Sequence, residues 1–532
     1  MNMDPRIPVI DLFAGPGGLG EGFSTFRPEG GAAPFNIRLS VEKEHYAHQT
    51  LQLRSFLRQF PPRKLPSAYY DFLRNIDIPF NERINELYGK YPAEAETAQD
   101  QAWHAELGEE DQDVVRERIS IALGNSSVWI LLGGPPCQAY SVAGRSRNHG
   151  IPDYIPEEDK RQYLYQEYLK VIAEHKPTMF IMENVKGLLS ATLKNQRIFE
   201  LILEDLKDPV NTLKRENRQL KLKPSTGDKP RYKLYTLVPH RKSDDFDLRD
   251  YVVEMERYGV PQARHRVILL GIKEDMGEFK PENLKSARPV SAGRVLKGLP
   301  RLRGGLTDHE DTSEIWFDSI TDTKNRGWFE ASRKEAGEDV YDKLVSAISG
   351  LEKPDWDRGA EFIDYEPKVD YRPDWFLDDR LEGVCHHSTR AHISKDLHRY
   401  LYAACYARVY QQSPNLKNFP KGLLPAHNNV PVALNGAMFA DRFRVQLSGK
   451  PATTVMSHIA KDGHYYIHYD PTQCRSLTVR EVARLQTFQD NYFFCGPRTS
   501  QYIQVGNAVP PLLANQIAEI VYQVLRDVGV IR

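Results

Sequence analysis

Short apolar runs alternate with helix-prone stretches along the first half of the chain. Apolar runs of four to eight residues are typical of strands that are buried on both faces of a parallel sheet. We predict strands at Pro8–Ala14, Phe35–Val41, Val128–Leu132, Met179–Met182, Leu234–Val238 and Val267–Ile272. Tyr163–His175 has the spacing of a helix. Strands that alternate with helices in this way indicate a doubly wound α/β sheet.

Three stretches depart from this alternation. Residues Leu53–Gly124 are charged and helix-prone. The stretch Leu206–Lys233 is rich in Lys, Arg, Asn and Pro, and we predict that it is an exposed and partly flexible insertion. From about Lys280 to Lys450 the pattern is irregular and has few clean periods, so we predict a second domain there.

The last part of the chain is regular again. Thr478 and Glu481 have the spacing of a capping box, which marks the start of a helix. A later helical face is formed by the apolar side chains of Leu513, Ile517, Ile520, Val521 and Val524. We therefore divide the chain into a catalytic part, 1–279, a second domain, 280–450, and a segment that returns to the catalytic part, 451–532.

Composition narrows the class of protein only slightly. The 532 residues suffice for two or three domains, and the net charge of -1 neither favours nor excludes nucleic acid, because a local basic patch can bind it. Five widely spaced cysteines argue against a disulfide framework and against a paired-cysteine zinc site. We recognise neither a secretory leader nor an apolar stretch long enough to cross a bilayer, and we expect a cytoplasmic protein.

A glycine-rich turn follows the first predicted strand, in the motif Asp11–Gly20. Glycines at such a turn let the backbone approach a ligand closely. Glu42 ends the next strand, where an acid can hold ribose hydroxyls in nucleotide-binding folds. The alternatives are a tight strand-to-helix turn that binds nothing and, for Phe13, a core aromatic rather than a face for adenine.

A second motif, Gly133–Ser141, follows a predicted strand and contains two prolines before Cys137. Ligands bind at the carboxyl ends of strands in α/β sheets. The prolines fix the backbone there, which suits a nucleophile better than a packing cysteine. The thiolate is the reactive form, and either a helix N-terminus or Arg145 would favour it.

Two further motifs carry charged side chains at strand ends. Glu183, in Met182–Val185, is predicted at the same edge as Cys137, where a buried acid can donate a proton. Its alternative role is to cap the following turn. Strand alternation predicts that Arg264 and Arg266 share one face and grip phosphates or a carbonyl oxygen. A salt-bridged surface strand is the alternative.

In order and spacing, these four motifs resemble those of the cytosine-5 DNA methyltransferase family, of the kind found in prokaryotic restriction-modification systems. Two more family motifs are present, at Arg475–Gln486 and Gln504–Pro510. The resemblance covers roughly residues 7–275 and 440–525. It implies a Rossmann-like, doubly wound mixed sheet that binds S-adenosyl-L-methionine. It also implies that the irregular second domain is a target recognition domain that reads base edges.

The resemblance implies a mechanism of base flipping and covalent catalysis. The Cys137 thiolate is implied to add to C6 of a flipped cytosine. Glu183 is implied to hold the exocyclic amine and N3 of the base. Arg266 is implied to hold O2, with Arg264 near it or near the phosphates. Methylation at C5 and elimination of Cys137 then release the product.

The resemblance also implies cofactor and DNA contacts. The implied cofactor contacts are Phe13, Gly15, Gly17, Gly18, Glu42, Pro136 and Asn507. The implied DNA contacts are Gln138, Ser141, Arg145 and Thr454. Two positions depart from the family pattern: Lys43 replaces a residue that is often apolar, and the acid for the adenine amino group has no clear counterpart. Glu106 is a candidate for it, and a solvated helix acid is the alternative.

Other functions remain open at this point. One is an RNA cytosine-5 methyltransferase, although such proteins are usually shorter and lack a large recognition insert. Another is a binding protein that keeps the fold for regulation, and a third, an NAD-dependent enzyme, leaves Cys137 unexplained. We expect double-stranded DNA as the partner, a cognate restriction endonuclease encoded nearby, no membrane, and a monomer. We expect no metal, and packing or phosphate contacts for the cluster Cys385–His392.

Overall fold

The computed structural model describes residues 4–29, 31–61, 64–136, 164–193, 196–216, 229–240, 247–278, 280–427, 430–435 and 440–531. Its largest element is an eight-stranded sheet. The strands are β1 (Ile7–Leu12), β2 (Phe35–Glu42), β3 (Ala102–His104), β4 (Ile130–Gly133), β5 (Met179–Val185), β6 (Tyr232–Thr236), β7 (Val252–Glu254) and β8 (His265–Lys273). Every predicted strand is present, with its ends shifted by a few residues.

The sheet is mixed. Its order is β3-β2-β1-β4-β5-β8-β6, and β7 pairs with the first residues of β8. Strands β1 to β5 are parallel, whereas β8 is antiparallel to β5, β6 and β7. The order places β1 and β4 side by side at the centre, so the turns after them meet at one edge. This confirms the predicted doubly wound, mixed α/β sheet.

Helices cover both faces of the sheet, because the central strands are apolar on both sides. Ile10 and Leu12 of β1 belong to one hydrophobic core, whereas Ile7 and Val9 belong to the other. The first core is covered by helices Gln112–Leu123, Leu164–His175, Ile198–Lys207 and Pro209–Glu216. The second is covered by helices Gly18–Thr25 and Pro511–Asp527.

The last helix, Pro511–Asp527, lies directly against the first one, Gly18–Thr25. Glycine permits this close approach, because a β-carbon on Gly22 would lie 2.3 Å from the β-carbon of Ala514. The two ends of the chain therefore build one core together. The predicted apolar face of this helix is buried as expected.

Four helices fill the helix-prone stretch between β2 and β3. They are His45–Leu57, Ser67–Arg74, Phe80–Lys90 and Pro92–Gln101. Their apolar side chains form a separate core with Leu381, Cys385 and Phe493 from later parts of the chain. This insertion therefore connects the sheet to the region beyond residue 280.

The prediction for Leu206–Lys233 is wrong over the part that the structure describes. Residues Pro209–Glu216 form a helix, and Leu206 and Leu213 are buried in the core of the sheet. Asn211, Lys214 and Arg215 on the second of these helices are exposed, which accounts for part of the polar character. Residues 217–228 lie outside the described residues.

The region from Lys280 to Lys450 is more helical than its pattern predicted. Its helices are Ala292–Leu296, Ser313–Thr321, Gly327–Glu335, Glu338–Ser349, Pro373–Phe376, Ser394–Tyr410 and Val430–Leu434. The longest of them, Ser394–Tyr410, buries His398, Arg399 and Tyr400 together with apolar residues. A helix that is buried nearly all round has no amphipathic period, so its sequence does not show the helix.

The remaining elements are short. Paired strands join Thr192–Leu193 to Gln196–Arg197, Gln262–Ala263 to Ala452–Thr453, Gly305–Leu306 to Ala391–His392, and Gly359–Asp364 to Gly383–Ser388. Helices Val479–Leu485 and Arg498–Asn507 precede the last helix, and Thr478 and Glu481 form the predicted capping box. Short 3-10 helices lie at Lys186–Ser190, Leu248–Tyr251, Met255–Tyr258, Glu274–Met276, Asp322–Asn325, Leu416–Asn418, Lys421–Leu423, Ser457–Ala460 and His464–Tyr466. Among the described helices, none is both long and apolar enough to span a membrane.

Candidate active site

A cavity of about 400 Å³ opens at the carboxyl ends of β1, β2, β4 and β5. This is the edge where ligands bind in open α/β sheets, and the volume suits a small organic cofactor. Residues from the first and the last part of the chain line it, 1–279 and 451–532. They include Asp11, Phe13, Gly15, Glu42, Lys43, Glu106, Pro135, Pro136, Glu183, Asn184, Gln504 and Asn507.

The turn after β1 holds the acid at the end of β2. The amide of Gly15 donates a hydrogen bond to Oε2 of Glu42 (2.8 Å), and the amide of Glu44 donates to Oε1 (2.8 Å). Burial raises the pKa of Glu42, and these backbone hydrogen bonds oppose the shift. Gly15 has φ +57° and Phe13 has φ 55°, a left-handed conformation that is uncommon for a residue with a side chain. Such strain often accompanies a binding site.

Gly17 and Gly18 do not line the cavity, although both were predicted as cofactor contacts. A β-carbon on Gly17 would lie 2.8 Å from Cδ2 of Leu51, and one on Gly18 would lie 2.1 Å from the carbonyl oxygen of Val509. Both glycines are therefore required for packing of the turn against neighbouring segments. Asn507 and Pro136, two other predicted contacts, do line the cavity.

An ion pair that sequence reasoning missed forms one wall of the cavity. Nζ of Lys43 lies 2.8 Å from Oε1 of Glu106, and both side chains are about half exposed. Lys43 departs from the family pattern, and Glu106 is the candidate acid for the adenine amino group. The structure places Glu106 on the cavity wall rather than on a solvated helix.

Asp11 lies at the base of the cavity and is fully buried. One carboxylate oxygen accepts a hydrogen bond from the amide of Gly20 (3.2 Å), and the other has no partner among the described residues. Burial raises the pKa of Asp11 to about 7, although the positive charge of Arg58 opposes the shift. Asp11 was part of the predicted motif, but its burial was not predicted.

Glu183, which lines the same cavity, forms an ion pair with Arg266. Nε of Arg266 lies 3.1 Å from Oε1 of Glu183, and both side chains are mostly buried. The pairing of β5 with β8 brings them together, because Arg266 lies opposite Val185 in the antiparallel register. Burial lowers the pKa of Arg266, and the charge of Glu183 opposes that shift.

The segment after β4 passes directly over Glu183. A β-carbon on Gly134 would lie 3.2 Å from Oε2 of Glu183. Asn184 donates a hydrogen bond from its side-chain amide to the carbonyl oxygen of Pro135 (2.9 Å). Pro136 is the last described residue of this segment. The predicted residues Cys137, Gln138, Ser141 and Arg145 lie outside the described residues.

Arg264 lies between two strands rather than within one, so the strand alternation from which we predicted a shared face with Arg266 does not apply to it. Its guanidinium is buried and donates to the carbonyl oxygens of Val455 (2.8 Å) and Gly506 (3.2 Å). The backbone amide of Arg264 donates a hydrogen bond to the carbonyl oxygen of Gln262. This tight turn separates the strand Gln262–Ala263 from β8. Strand alternation therefore fails at this position, and Arg264 fastens the C-terminal segment to the sheet.

Thr454, a predicted DNA contact, is half-buried beside this junction. Its hydroxyl donates a hydrogen bond to the carbonyl oxygen of Ala263 (2.5 Å). The described structure therefore gives this hydroxyl a role within the protein. A contact with DNA stays a prediction.

The four cysteines in the described part of the chain are all buried. Burial raises the pKa of Cys385, Cys405 and Cys495 to about 12, and it raises that of Cys474 as well. A thiol with so high a pKa is almost never a thiolate at neutral pH. These four cysteines therefore lack the properties of a nucleophile.

Three comparisons place these features among known proteins. A family model of the C-5 cytosine-specific DNA methylases matches residues 96–209 and 232–523. The type II methyltransferase M.Bpa9945I of Bacillus paralicheniformis is 31% identical over 97% of this chain and 99% of its own length. M.AgeI of Thalassovita gelatinovora is 24% identical over 96% and 98% of the two chains.

One solved structure has a similar fold. A DNA modification methyltransferase encoded within an E. coli prophage covers 98% of this chain and 100% of its own, with a TM-score of 0.50 and 16% identity. The motif order, the mixed sheet and these matches agree with one another. The chain belongs to the C-5 cytosine-specific DNA methylase family: it is a DNA (cytosine-5-)-methyltransferase, and its cofactor is S-adenosyl-L-methionine.

Proposed function

We propose that this protein methylates C5 of a cytosine within one short sequence of double-stranded DNA, as the modification enzyme of a restriction-modification system. The observation that carries the proposal is the close approach of three motifs at one cavity. The Glu183–Arg266 ion pair, the glycine turn with Glu42, and the segment that leads to Cys137 all meet there. The type II names of the relatives support the modification role.

The cavity fits S-adenosyl-L-methionine. Glu42 is held by two backbone amides and presents a carboxylate suited to ribose hydroxyls. Phe13 lines the same cavity and offers an aromatic surface for adenine. Asn507 and Pro136 line it as well, in agreement with their proposed roles. When bound, the cofactor supplies an electrophilic methyl group.

A base in a duplex cannot reach such a cavity, so the target cytosine is flipped out of the helix. Glu183 and Arg266 then contact two different edges of the base. The Glu183 carboxyl group bonds to the exocyclic amine and to N3, and the Arg266 guanidinium donates to O2. A charged guanidinium beside O2 stabilises negative charge that develops on the ring.

Cys137 supplies the nucleophile. Its thiolate adds to C6 while N3 takes a proton from Glu183, and the electron pair of the C5–C6 double bond becomes available at C5. After C5 has gained the methyl group, a solvent base removes the proton at C5, the thiolate leaves C6, and N3 returns its proton to Glu183. Covalent addition thus makes an unreactive ring carbon nucleophilic for one step. The high pKa values of the other four cysteines support Cys137 as the residue in this role.

The first experiment measures methyl transfer from labelled cofactor to unmethylated genomic DNA, and in parallel to RNA. Wild type is compared with Cys137→Ala and with Cys405→Ala, a buried cysteine remote from the cavity. Bisulfite sequencing then locates the product. We expect 5-methylcytosine in one short motif, lost only in Cys137→Ala. Transfer to RNA alone would reject the proposal, and cofactor binding without any transfer would favour a regulatory protein.

A further inference from the structure

A second group of ligand-type side chains lies outside the cavity. His392 ends the strand Ala391–His392, Asp396 lies in the first turn of helix Ser394–Tyr410, and His464 begins the 3-10 helix His464–Tyr466. One ligand atom from each of these residues lies within 4.8 Å of the other two. Two imidazoles and one carboxylate therefore converge from two separate parts of the chain.

The ring of His392 has an unsatisfied nitrogen. The residue is 8% exposed, and Nε2 has no hydrogen-bond partner among the described residues. Burial of an unpaired polar atom costs free energy, so such an atom calls for an explanation. A metal ion would satisfy this nitrogen.

Tyr400 orients both imidazole rings. Its phenol oxygen lies 2.6 Å from Nδ1 of His464 and 3.4 Å from Nδ1 of His392. Metal-binding histidines usually donate their second ring N–H to an oxygen in this way, which fixes the tautomer. A metal bound through Nε2 of each ring would leave both of these contacts with Tyr400 intact.

The neighbouring histidines His386 and His387 use their ring nitrogens in hydrogen bonds within the protein. Nε2 of His386 accepts a hydrogen bond from the amide of Phe494 (3.0 Å). His387 uses both ring nitrogens, with Thr478 (2.8 Å) and with the carbonyl oxygen of Pro300 (2.9 Å). His386 and His387 are thus part of the internal hydrogen bonding, whereas Nε2 of His392 is not.

The ion pair between Arg399 and Asp396 leaves one carboxylate oxygen of Asp396 for a cation. Arg399 donates to Oδ1 of Asp396 (2.5 Å), so the second oxygen of that carboxylate remains for a metal. Oδ2 of Asp462 lies 3.9 Å from Nε2 of His464 and is half exposed, so it provides an oxygen toward solvent. Arg390 and Arg498 near His392, and Arg442 near His464, add positive charge around the site that a bound cation must overcome.

We infer that His392, Asp396 and His464 bind one divalent transition-metal ion of the Zn²⁺ type. Imidazole nitrogen with carboxylate oxygen is a donor set that Zn²⁺ and Co²⁺ accept. Ligand atoms around a tetrahedral zinc ion are roughly 3.4 Å apart, so the three side chains close in by about an ångström when the ion binds. The metal ties helix Ser394–Tyr410 to the segment that leads into the C-terminal motifs.

The test is a titration of the full-length, chelator-treated protein with Co²⁺, followed by visible absorption, and displacement by Zn²⁺. Wild type is expected to bind one equivalent with the d–d absorption of a nitrogen and oxygen site. His392→Ala, His464→Ala and Asp396→Asn should each weaken binding at least about tenfold. His398→Asn is the matched control, because His398 is a buried histidine on the same helix that bonds to Ser319.

Tyr400→Phe retains all three ligands and removes only the orienting hydroxyl. We expect it to bind Co²⁺ about ten- to a hundredfold more weakly than wild type. The melting temperature of wild type should rise on addition of Zn²⁺, a readout that requires no ligand variant to fold.

Two results would overturn the inference. One is wild type that binds no more Co²⁺ than His392→Ala and shows no Zn²⁺-dependent rise in melting temperature. The other is a sulfur-to-cobalt charge-transfer band, which would assign the metal to a cysteine. Neither readout depends on methyl transfer, so this inference fails or stands separately from the proposed function.

Discussion

Glu183 and Arg266 are ion-paired at 3.1 Å across two antiparallel strands, and Glu183 lines the cavity that the glycine turn also lines. The pair satisfies both charges within a mostly buried site. In the proposed reaction, each partner exchanges this contact for one edge of the cytosine. The ion pair therefore holds the two side chains close to the positions that catalysis requires.

Glu183→Gln should therefore impair catalysis rather than folding. Glutamine keeps the size of the side chain but has no acidic proton to transfer to N3. General acid catalysis contributes roughly 10²–10⁴-fold to rates. We expect the single-turnover rate of methyl transfer to fall within that range. The dissociation constant for S-adenosyl-L-methionine should change little.

Glu256→Gln is the matched control. Glu256 also pairs with a residue of β8, His265 (2.8 Å), but it does not line the cavity. A loss of rate in this variant equal to that of Glu183→Gln would contradict the catalytic role of Glu183.

Arg264→Ala should mainly lower stability, whereas Arg266→Ala should mainly lower the rate of methyl transfer. Arg264 bonds to two buried carbonyl groups, and its removal leaves them unsatisfied, at a cost of about 2–3 kcal/mol in the free energy of unfolding. Arg266 contacts Glu183, which lines the cavity, so its removal should lower the rate of methyl transfer more than the stability. Urea unfolding and single-turnover kinetics measure the two effects.

Arg264→Lys sharpens this comparison. A lysine ammonium is a compact group that does not reproduce the guanidinium fork, so we expect it to recover little of the lost stability. If instead Arg264→Ala were as stable as wild type and lost only its activity, the role of Arg264 in packing would be wrong.

Gly18→Ala tests the packing between the two ends of the chain. Its β-carbon would lie 2.1 Å from the carbonyl oxygen of Val509, so the C-terminal segment must shift. Overpacking of this kind costs about 1–3 kcal/mol. We expect lower stability toward urea together with weaker cofactor binding, because Val509 and Asn507 line the cavity.

Gly15→Ala separates backbone conformation from packing. A β-carbon there meets nothing within 4 Å, but φ is +57°, a left-handed conformation that costs about 1–2 kcal/mol. The loss of stability should be within this range. A Gly18→Ala protein as stable as wild type would contradict the packing role of Gly18.

The sequence predicted what its local patterns and motifs encode. The doubly wound α/β sheet follows from short apolar runs such as β4 that alternate with helices, whereas its mixed character was implied only by the family resemblance. Glu42 lies in the cavity because it ends β2, and Glu183 because it lies near the carboxyl end of β5. Helix Ser394–Tyr410 was missed because it is buried nearly all round.

Contacts between distant segments were not predictable from local patterns. The bend at Arg264 interrupts strand alternation, and its partners Val455 and Gly506 come from far along the chain. The same holds for Gly18 and for the pair His392 and His464. Each depends on how the C-terminal segment returns to the sheet.

Asp11 gives a prediction about pH. Its pKa is about 7 in the folded protein against 3.8 for an ordinary aspartate, so the folded protein binds the proton more tightly than the unfolded chain does. The contribution of Asp11 to stability is therefore greatest below pH 4, declines as pH rises to about 7, and is constant above it. An asparagine at this position does not titrate.

Asp11→Asn should consequently become more stable relative to wild type as the pH rises. We expect the difference in unfolding free energy between the two proteins to shift by a few kcal/mol, in the order of magnitude set by the shift in pKa, between pH 4 and pH 8. Urea unfolding at a series of pH values measures it. Contributions from other titrating groups cancel in the difference, because both proteins share them.

Asp113→Asn is the control, since Asp113 has a side chain that is 75% exposed on helix Gln112–Leu123. Its difference from wild type should be nearly independent of pH. If the Asp11→Asn difference were equally flat, Asp11 would carry the same charge in the folded and unfolded states. Its carboxylate would then be ionised at the base of the cofactor cavity, and burial would not be the dominant influence on that charge.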